Sequence, residues 1–345
     1  MTVQKFLLTT NPGIEDIVKR EVLENMDAKV IYPFMNLQGR VLVETEEKNK
    51  SLLLKLRSIY HAIRYIGSFE ISPEEEGLET IYKKVYETEI PEIEDVESFR
   101  VTSKRIGIHS FKSVDIQKIA GKAVLDRYKK KVDLKNYDVE IIVDVIGKRC
   151  WIGVNLTKES LYRRFERPFN HFAAIKPPLA YAMLRLADIQ TGNLLLDPMC
   201  GGGTIPIEAA QVYGSKIRIF GSDSSKTSIE GAKKNAEAAG IKDLVQFCIL
   251  DVREIDRVFK KVDRIVTNPP YGVRMGEWKK LKSFYAEFLE VFYKVLPEDG
   301  ILVLITLRAT SFRSLVFRSR HFTISHERVV EAGGLYPHIF VLRKI

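Results

Sequence analysis

The feature that most constrains this chain is a series of short apolar runs in its second half. Each ends on a polar residue and leads into a helical pattern. The runs are Asn193 to Asp197, Lys216 to Ser222, Val245 to Leu250 and Val262 to Thr267. They finish at or beside Asp197, Asp223, Asp251 and Asn268. Short apolar runs alternating with longer amphipathic stretches predict parallel strands joined by crossover helices. Helices are expected over 205–212, 225–239 and 284–295, with a further strand over 301–306. The result is a doubly wound α/β domain, which binds ligands beyond the carboxyl ends of its strands.

The residues at those ends define a chemistry. Asp197 opens the turn Asp197-Pro198-Met199-Cys200-Gly201-Gly202-Gly203-Thr204. Glycines between a strand and a helix allow a tight turn and close backbone approach, and Thr204 can cap the helix. The Gly-Lys-Ser/Thr ending of a Walker loop is absent. Cys200 reads as a small buried hydrophobe, because no relay partner is placed beside it. Asp223 can accept both hydroxyls of a ribose, and Asp251 an adenine amino group. Asn268-Pro269-Pro270-Tyr271 is the sharpest signal. The Asn268 side-chain oxygen and the Pro269 carbonyl can face one amine as paired acceptors, on a backbone that prolines hold rigid. Tyr271 offers a ring for stacking a planar base. An exocyclic amine is a poor nucleophile, and two acceptors can stabilise the positive charge it develops on attack. Neither a metal nor a covalent nucleophile is needed.

The first half is organised differently. A strand at Phe6 to Leu8, a helix through Ile14 to Leu23, strands at Val30 to Tyr32 and Arg40 to Val43, a helix over Leu52 to Tyr60 and a strand over Tyr65 to Phe69 predict a ferredoxin-like α/β sandwich over 1–69. A second module is expected over 70–157. It has helices near 78–86 and 115–128, a strand over 98–104 with outward basic groups, and a hairpin of Val139 to Val145 with Cys150 to Leu156. Residues 158–178 read as a polar, aromatic linker stiffened by Pro168, Pro177 and Pro178, leaving 179–345 as the last domain. Charge is uneven. Residues 70–99 carry eleven acids and two bases, whereas 100–170 carry seventeen bases and eight acids. Basic surface of this kind suits a polyanion. Lys104, Arg105, Lys129, Lys130, Lys131, Lys148 and Arg149 are the candidate phosphate contacts. Cys150, Cys200 and Cys248 form neither a disulfide framework nor a zinc pattern, so no metal is expected. No apolar run is long enough to span a membrane and no secretory signal opens the chain, so a cytoplasmic protein is expected.

Residues 193–271 resemble the class I S-adenosylmethionine-dependent methyltransferases that modify amines. The whole layout resembles the THUMP-containing transfer RNA guanine-N2 methyltransferases. The resemblance implies a Rossmann-like catalytic domain behind ferredoxin-like and THUMP α/β domains. It implies S-adenosylmethionine bound by Asp197, Pro198, Cys200, Gly201, Gly203, Thr204, Asp223, Ser224, Asp251, Val252 and Asn268, with Phe247 also beside the adenine. Asn268, Pro269 and Tyr271 would be catalytic. The implied partner is tRNA, held by its acceptor stem and 3′ end, with no membrane and no obligate protein partner. Members acting at position 10 usually have Asp where Asn268 stands, which tilts the expectation toward guanosine 6. Where the family more often has Ser, this chain has Gly202. Methylation of rRNA guanine N2, of adenine N6 or of protein glutamine remains an alternative, as does a non-catalytic RNA-binding protein.

Overall fold

The computed structural model describes residues 3–31, 39–271 and 278–345. They form two compact units. The first holds 3–9, 21–31 and 40–161, and the second 10–20, 39 and 162–345.

The first unit is built on one mixed sheet. Its elements are β1 (Val3–Thr9), α1 (Glu15–Asn25, whose first turns belong to the second unit), β2 (Ala28–Ile31), β3 (Arg40–Glu46), α2 (Lys50–Leu53), β4 (His61–Glu70), α3 (Glu76–Glu87), β5 (Ser98–Thr102), β6 (Arg105–Ile106), α4 (Ser113–Tyr128), β7 (Lys131–Val132), β8 (Val139–Ile146) and β9 (Arg149–Asn155). The strand order is β2-β3-β1-β4-β9-β8-β5-β7, with β6 beside β8. The first four strands keep the ferredoxin-like order, and the antiparallel β4–β9 pair carries the sheet on into the second module. One sheet therefore runs through both segments that the sequence suggested as separate domains.

Three local expectations change. The helix expected over 52–60 is a single turn, α2, and β4 begins at His61, four residues earlier than read. Tyr32, the expected end of its strand, lies outside the described residues. Val139 to Val145 reads from the sequence as an alternating strand, yet all eight residues of the hairpin strand β8 are buried. Its acids are paired. Asp144 Oδ2 meets Arg40 Nη2 at 2.9 Å, and Glu140 Oε1 accepts from Arg100 Nη2 at 2.6 Å and from the Thr102 hydroxyl. Arg100 is thus half-buried in an ion pair rather than outward. Removing one member of a pair as buried as Arg40–Asp144 typically costs about 3–5 kcal/mol.

The second unit holds α5 (Pro177–Leu186), β10 (Leu194–Asp197), α6 (Thr204–Tyr213), β11 (Arg218–Asp223), α7 (Lys226–Ala238), β12 (Val245–Ile249), α8 (Ile255–Val258), β13 (Arg264–Thr267), α9 (Trp278–Val295), β14 (Ile301–Thr306), α10 (Ala309–Ser319), β15 (Phe322–Val329) and β16 (His338–Lys344). Its sheet runs β12-β11-β10-β13-β14-β16-β15. The first five strands are parallel, and β16 is antiparallel to both β14 and β15. Two apolar layers cover the sheet. Phe288, Phe292, Phe312 and Phe340 belong to one, and Leu179, Met183, Ile205 and Val303 to the other. Pro177 and Pro178 occupy the first turn of α5, where a missing N–H costs nothing, instead of stiffening a linker. The order of strands reverses between β10 and β13, so ligands are expected over the ends of these two strands.

Candidate active site

The loop after β10 is shaped by its glycines. Gly201 (φ 51°) and Gly203 (φ 80°) lie in the left-handed region, which disfavours a side chain. The Phe247 ring fills notches at Gly221 and Gly203, 2.7 and 3.2 Å from where a Cβ would stand. It therefore packs beneath the loop against the apolar layer and ties β12 to β11. Cys200 is buried, and its amide donates to the Ser222 carbonyl. Burial pushes its thiol well above the usual range, so it is no nucleophile.

The three strand-end acids sit in different environments. Asp197 is 2% exposed. It accepts from the Met199 amide, and no Lys or Arg among the described residues pairs with it. Burial pushes its carboxyl up to about 7, with Asp223 adding to the effect. Asp223 accepts from the Gly201 and Ser225 amides, one on each oxygen, both at 2.9 Å. It braces the glycine loop and keeps a lone pair on each oxygen for further donors. Asp251 is engaged at both oxygens by Arg253, at 2.7 and 3.0 Å, which holds its carboxyl below the usual range. Ser224 is exposed, while Pro198, Thr204 and Val252 are buried.

At the end of β13 the Asn268 amide is fixed from both sides. Its Nδ2 donates to the Ala173 carbonyl at 3.0 Å, and its Oδ1 accepts from the Tyr271 hydroxyl at 2.6 Å. That assigns the amide orientation and leaves one Oδ1 lone pair for another donor. Pro269 is buried and Pro270 exposed. Tyr271 is partly exposed. Its ring is half-buried against the apolar layer and its hydroxyl points back to Asn268. A phenol beside an amide oxygen gains a hydrogen bond by tucking in, which an exposed ring would forgo.

Sequence reading missed a strap. Residues 162–176, expected as a linker, fold within the second unit over the glycine loop. Arg167 donates to the Thr204 hydroxyl at 2.9 Å, and Arg164 lies 3.6 Å from the buried Glu208. The Phe169 ring seats on Gly231, where a Cβ would stand 2.2 Å from it. The His171 ring lies against Gly201. Asn235, fully buried on α7, accepts from the Phe169 amide (3.0 Å) and donates to the carbonyls of Phe169 and Gly202, both at 2.9 Å. Gly202, where a Ser was the more usual expectation, lies against His171 and Phe169, whose atoms come within 3.3–3.4 Å of a Cβ built there.

The seven candidate phosphate contacts do not form one patch. Lys129, Lys130 and Lys131 lie where β7 pairs with the start of β5. Lys104, Arg105, Lys148 and Arg149 gather around the β8–β9 turn, at the far end of the β8 ladder. Eight residues of strand separate the groups, roughly 26 Å. Lys130 donates to the Glu94 carbonyl, Lys131 faces Asp133, Arg149 faces Glu70 and Arg105 donates to the Gly107 carbonyl. Lys104, Lys129 and Lys148 are exposed. Among the described residues, no group of three His, Cys, Asp or Glu converges as a metal site, and no helix is long and apolar enough to cross a membrane.

A seven-stranded sheet with this order, a glycine loop after its first strand and Asn-Pro-Pro-Tyr after its fourth define a methyltransferase domain. Residues 164–338 match the RMKL-like methyltransferase domain family and residues 75–155 match the THUMP domain, and the chain belongs to the THUMP-bearing methyltransferases of that family. Within it the chain is 35% identical to the tRNA (guanine(6)-N2)-methyltransferase of Thermus thermophilus, covering 98% of both chains. It is 30% identical to the enzyme of the same name from Methanocaldococcus jannaschii, covering 98% of this chain and 99% of that one. The crystal structure of TrmN from Thermus thermophilus superposes with a TM-score of 0.83 at 33% identity, covering both chains completely.

Proposed function

We propose that this chain transfers a methyl group from S-adenosylmethionine to the exocyclic N2 amine of a guanosine in tRNA, guanosine 6 of the acceptor stem. The observation that carries the reading is the Asn268 amide, pinned by Ala173 and Tyr271 with its oxygen kept as an acceptor. The full-length kinship to enzymes named for guanine 6 of tRNA supports the substrate.

The residues present fit the cofactor. Asp197 is a buried carboxylate that pairs with no Lys or Arg among the described residues, and it is suited to an ammonium group. The loop of Gly201 to Gly203 gives the backbone access that a methionine chain needs, and Asp223 keeps acceptor capacity for a ribose. Thr204 and Pro198 complete the loop, and Val252 and Ser224 flank the two further strand ends. Bound there, S-adenosylmethionine supplies an electrophilic methyl on a sulfonium centre.

The chain's own groups prepare the nucleophile. The free lone pair of Asn268 Oδ1 and the Pro269 carbonyl accept the two amine hydrogens. This draws them from the plane of the base and frees the nitrogen lone pair. As the amine attacks, positive charge grows on it and both acceptors bind it more tightly, so they lower the barrier rather than merely hold the ground state. The nitrogen–methyl bond would form as the methyl–sulfur bond breaks, the thioether would leave as a neutral group, and the surplus amine proton would pass to water. Tyr271 keeps Asn268 in place. The site reads a single base, so the first unit, with its THUMP domain, takes the remainder of the tRNA, including the 3′ end. The protein is cytoplasmic.

The test is methyl transfer by the full chain to unmodified tRNA, with nuclease digestion and mass mapping of the product. N2-methylguanosine at position 6 is expected. Methylation of adenine N6, or of ribosomal RNA in preference to tRNA, would overturn the reading.

A further inference from the structure

Pro269 and Pro270 bring no N–H to the turn after β13, so over these two residues the backbone can be held only by donors that reach its carbonyls. No donor among the described residues reaches the Pro269 carbonyl. The next two carbonyls are both met. The Pro270 carbonyl accepts from the Tyr285 hydroxyl at 3.1 Å, and the Tyr271 carbonyl from Arg308 Nε at 3.4 Å. Tyr285 stands on α9 and is fully buried, its ring 4.8 Å from that of Phe288 and 5.9 Å from that of Phe312. Phe would fill this aromatic layer equally well, and a buried hydroxyl costs free energy unless it is hydrogen-bonded. Burial pushes the phenol up to about 12, so it keeps its proton. The direction of each bond then follows. A carbonyl can only accept, so the Tyr285 proton goes to Pro270. The Thr306 hydroxyl, 3.2 Å away and fully buried at the end of β14, donates to the Tyr285 oxygen and itself accepts from the Arg308 amide at 3.1 Å. The bonds run one way, from the Arg308 amide through Thr306 and Tyr285 to Pro270.

We propose that Tyr285 is a positioning residue for methyl transfer, whose hydroxyl sets the direction in which the Pro269 carbonyl faces the amine, with Thr306 and Arg308 completing the brace. The proposal rests on the methyltransferase reading above and deepens it. The Pro269 and Pro270 carbonyls are separated by a planar peptide bond, the φ of Pro270, which its ring locks, and the ψ of Pro270. That ψ is the one soft torsion between them. Holding the Pro270 carbonyl removes it, so the acceptor one residue earlier is aimed without being touched. Catalytic acceptors must stand within about 0.5 Å of their place to favour the transition state, and a turn without its own donors does not reach that precision alone.

The experiment compares Tyr285→Phe, Thr306→Val and Thr306→Ser in the full chain with unmodified tRNA, well below the melting transition. It reads the single-turnover rate against tRNA concentration, S-adenosylmethionine affinity by calorimetry and thermal melting. Tyr285→Phe keeps the ring and loses the donor, so the rate at saturating tRNA and cofactor should fall roughly 3- to 10-fold, the worth of one hydrogen bond. The half-saturating tRNA concentration and the cofactor affinity should stay within about 2-fold, because a misaimed acceptor matters where charge develops and not where the substrates bind. Melting should fall by about 2–4 °C. Thr306→Val should also slow the transfer, and Thr306→Ser, which keeps the hydroxyl, should restore it to within about 2-fold of the unmodified chain. A full-rate Tyr285→Phe overturns the proposal. So does a loss that appears in tRNA or cofactor affinity instead of the rate, or one as large in Thr306→Ser as in Thr306→Val. If the unmodified chain methylates a different amine, the proposed function fails, and the same series on that substrate still decides the brace.

Discussion

Replacing Asn235 with Ala should loosen the strap and the glycine loop together. The side chain is fully buried and makes three hydrogen bonds, all between 2.9 and 3.0 Å. Ala removes all three and leaves the buried Gly202 carbonyl without this donor. At about 1 kcal/mol for each bond, the loss is roughly 3 kcal/mol, with the stranded carbonyl at the upper end of that scale. For a unit of this size the melting transition should fall by roughly 6–12 °C. Asn235→Asp should be worse than Ala. It keeps the acceptor for the Phe169 amide but points a carboxylate oxygen at two carbonyls that previously received donors. Differential scanning calorimetry measures the transition assigned to the second unit, and isothermal titration measures S-adenosylmethionine binding, which should weaken in both variants. A melting point within about 2 °C of the unmodified chain, with unchanged cofactor affinity, would refute the clamp.

Asn268→Ala should cut single-turnover methyl transfer roughly 100-fold or more while leaving cofactor affinity nearly intact, because its oxygen acts where charge develops; a full-rate variant removes it from the mechanism. Tyr271→Phe keeps the ring but loses the hydrogen bond to Asn268, so its rate should fall several-fold, an effect that a purely stacking role would not produce. Burial raises the Asp197 carboxyl from its usual value of 3.8 to about 7. The unfolded chain gives up this proton near 4 and the folded chain only near 7, so the group's ionisation costs stability progressively as pH rises through that window. A cofactor ammonium favours the ionised form, so binding at pH 6 should release a proton and tighten toward pH 8. Calorimetry in buffers of different ionisation enthalpy reads this directly, and Asp197→Asn should abolish the release. Finally, Lys104→Gln with Lys148→Gln should lower the dependence of log affinity on log salt by about one to two for tRNA if these exposed lysines meet phosphates. An unchanged slope in filter binding takes them out of the RNA surface.

The catalytic sheet was legible in the sequence because its information is local. Four apolar runs stop at Asp197, Asp223, Asp251 and Asn268, and the strand-end position of those residues follows from chain direction alone. Glycine at 201 and 203 and proline at 269 and 270 restrict the backbone by their own covalent structure, whatever surrounds them. The antiparallel end of the sheet was harder. β15 has a mostly half-exposed pattern that lacks a clean alternation, and its pairing with β16 skips a register. The helix misread over 52–60 has helical apolar spacing at Leu52, Leu53 and Leu56, but Leu53 and Leu56 are buried from a single helical turn and the loop after it, ahead of the strand that begins at His61.

The strap, the use of Tyr271 and the grouping of the lysines were decided by tertiary structure. Asn235 reaches Phe169 across 66 residues and Asn268 reaches Ala173 across 95. No periodicity records such a contact, because neither partner changes the local pattern it sits in. Charge counting does not record how the cations group, for the same reason. The cations near Lys129 to Lys131 and near Lys148 are close in composition yet lie at opposite ends of one strand ladder. Several are consumed by Glu70, Glu94 and Asp133, which only folding brings within reach. Residue type and order determine which groups can do chemistry. Which of them remain available depends on the partners that long-range packing supplies, since a buried or paired group spends its hydrogen bonds inside the protein.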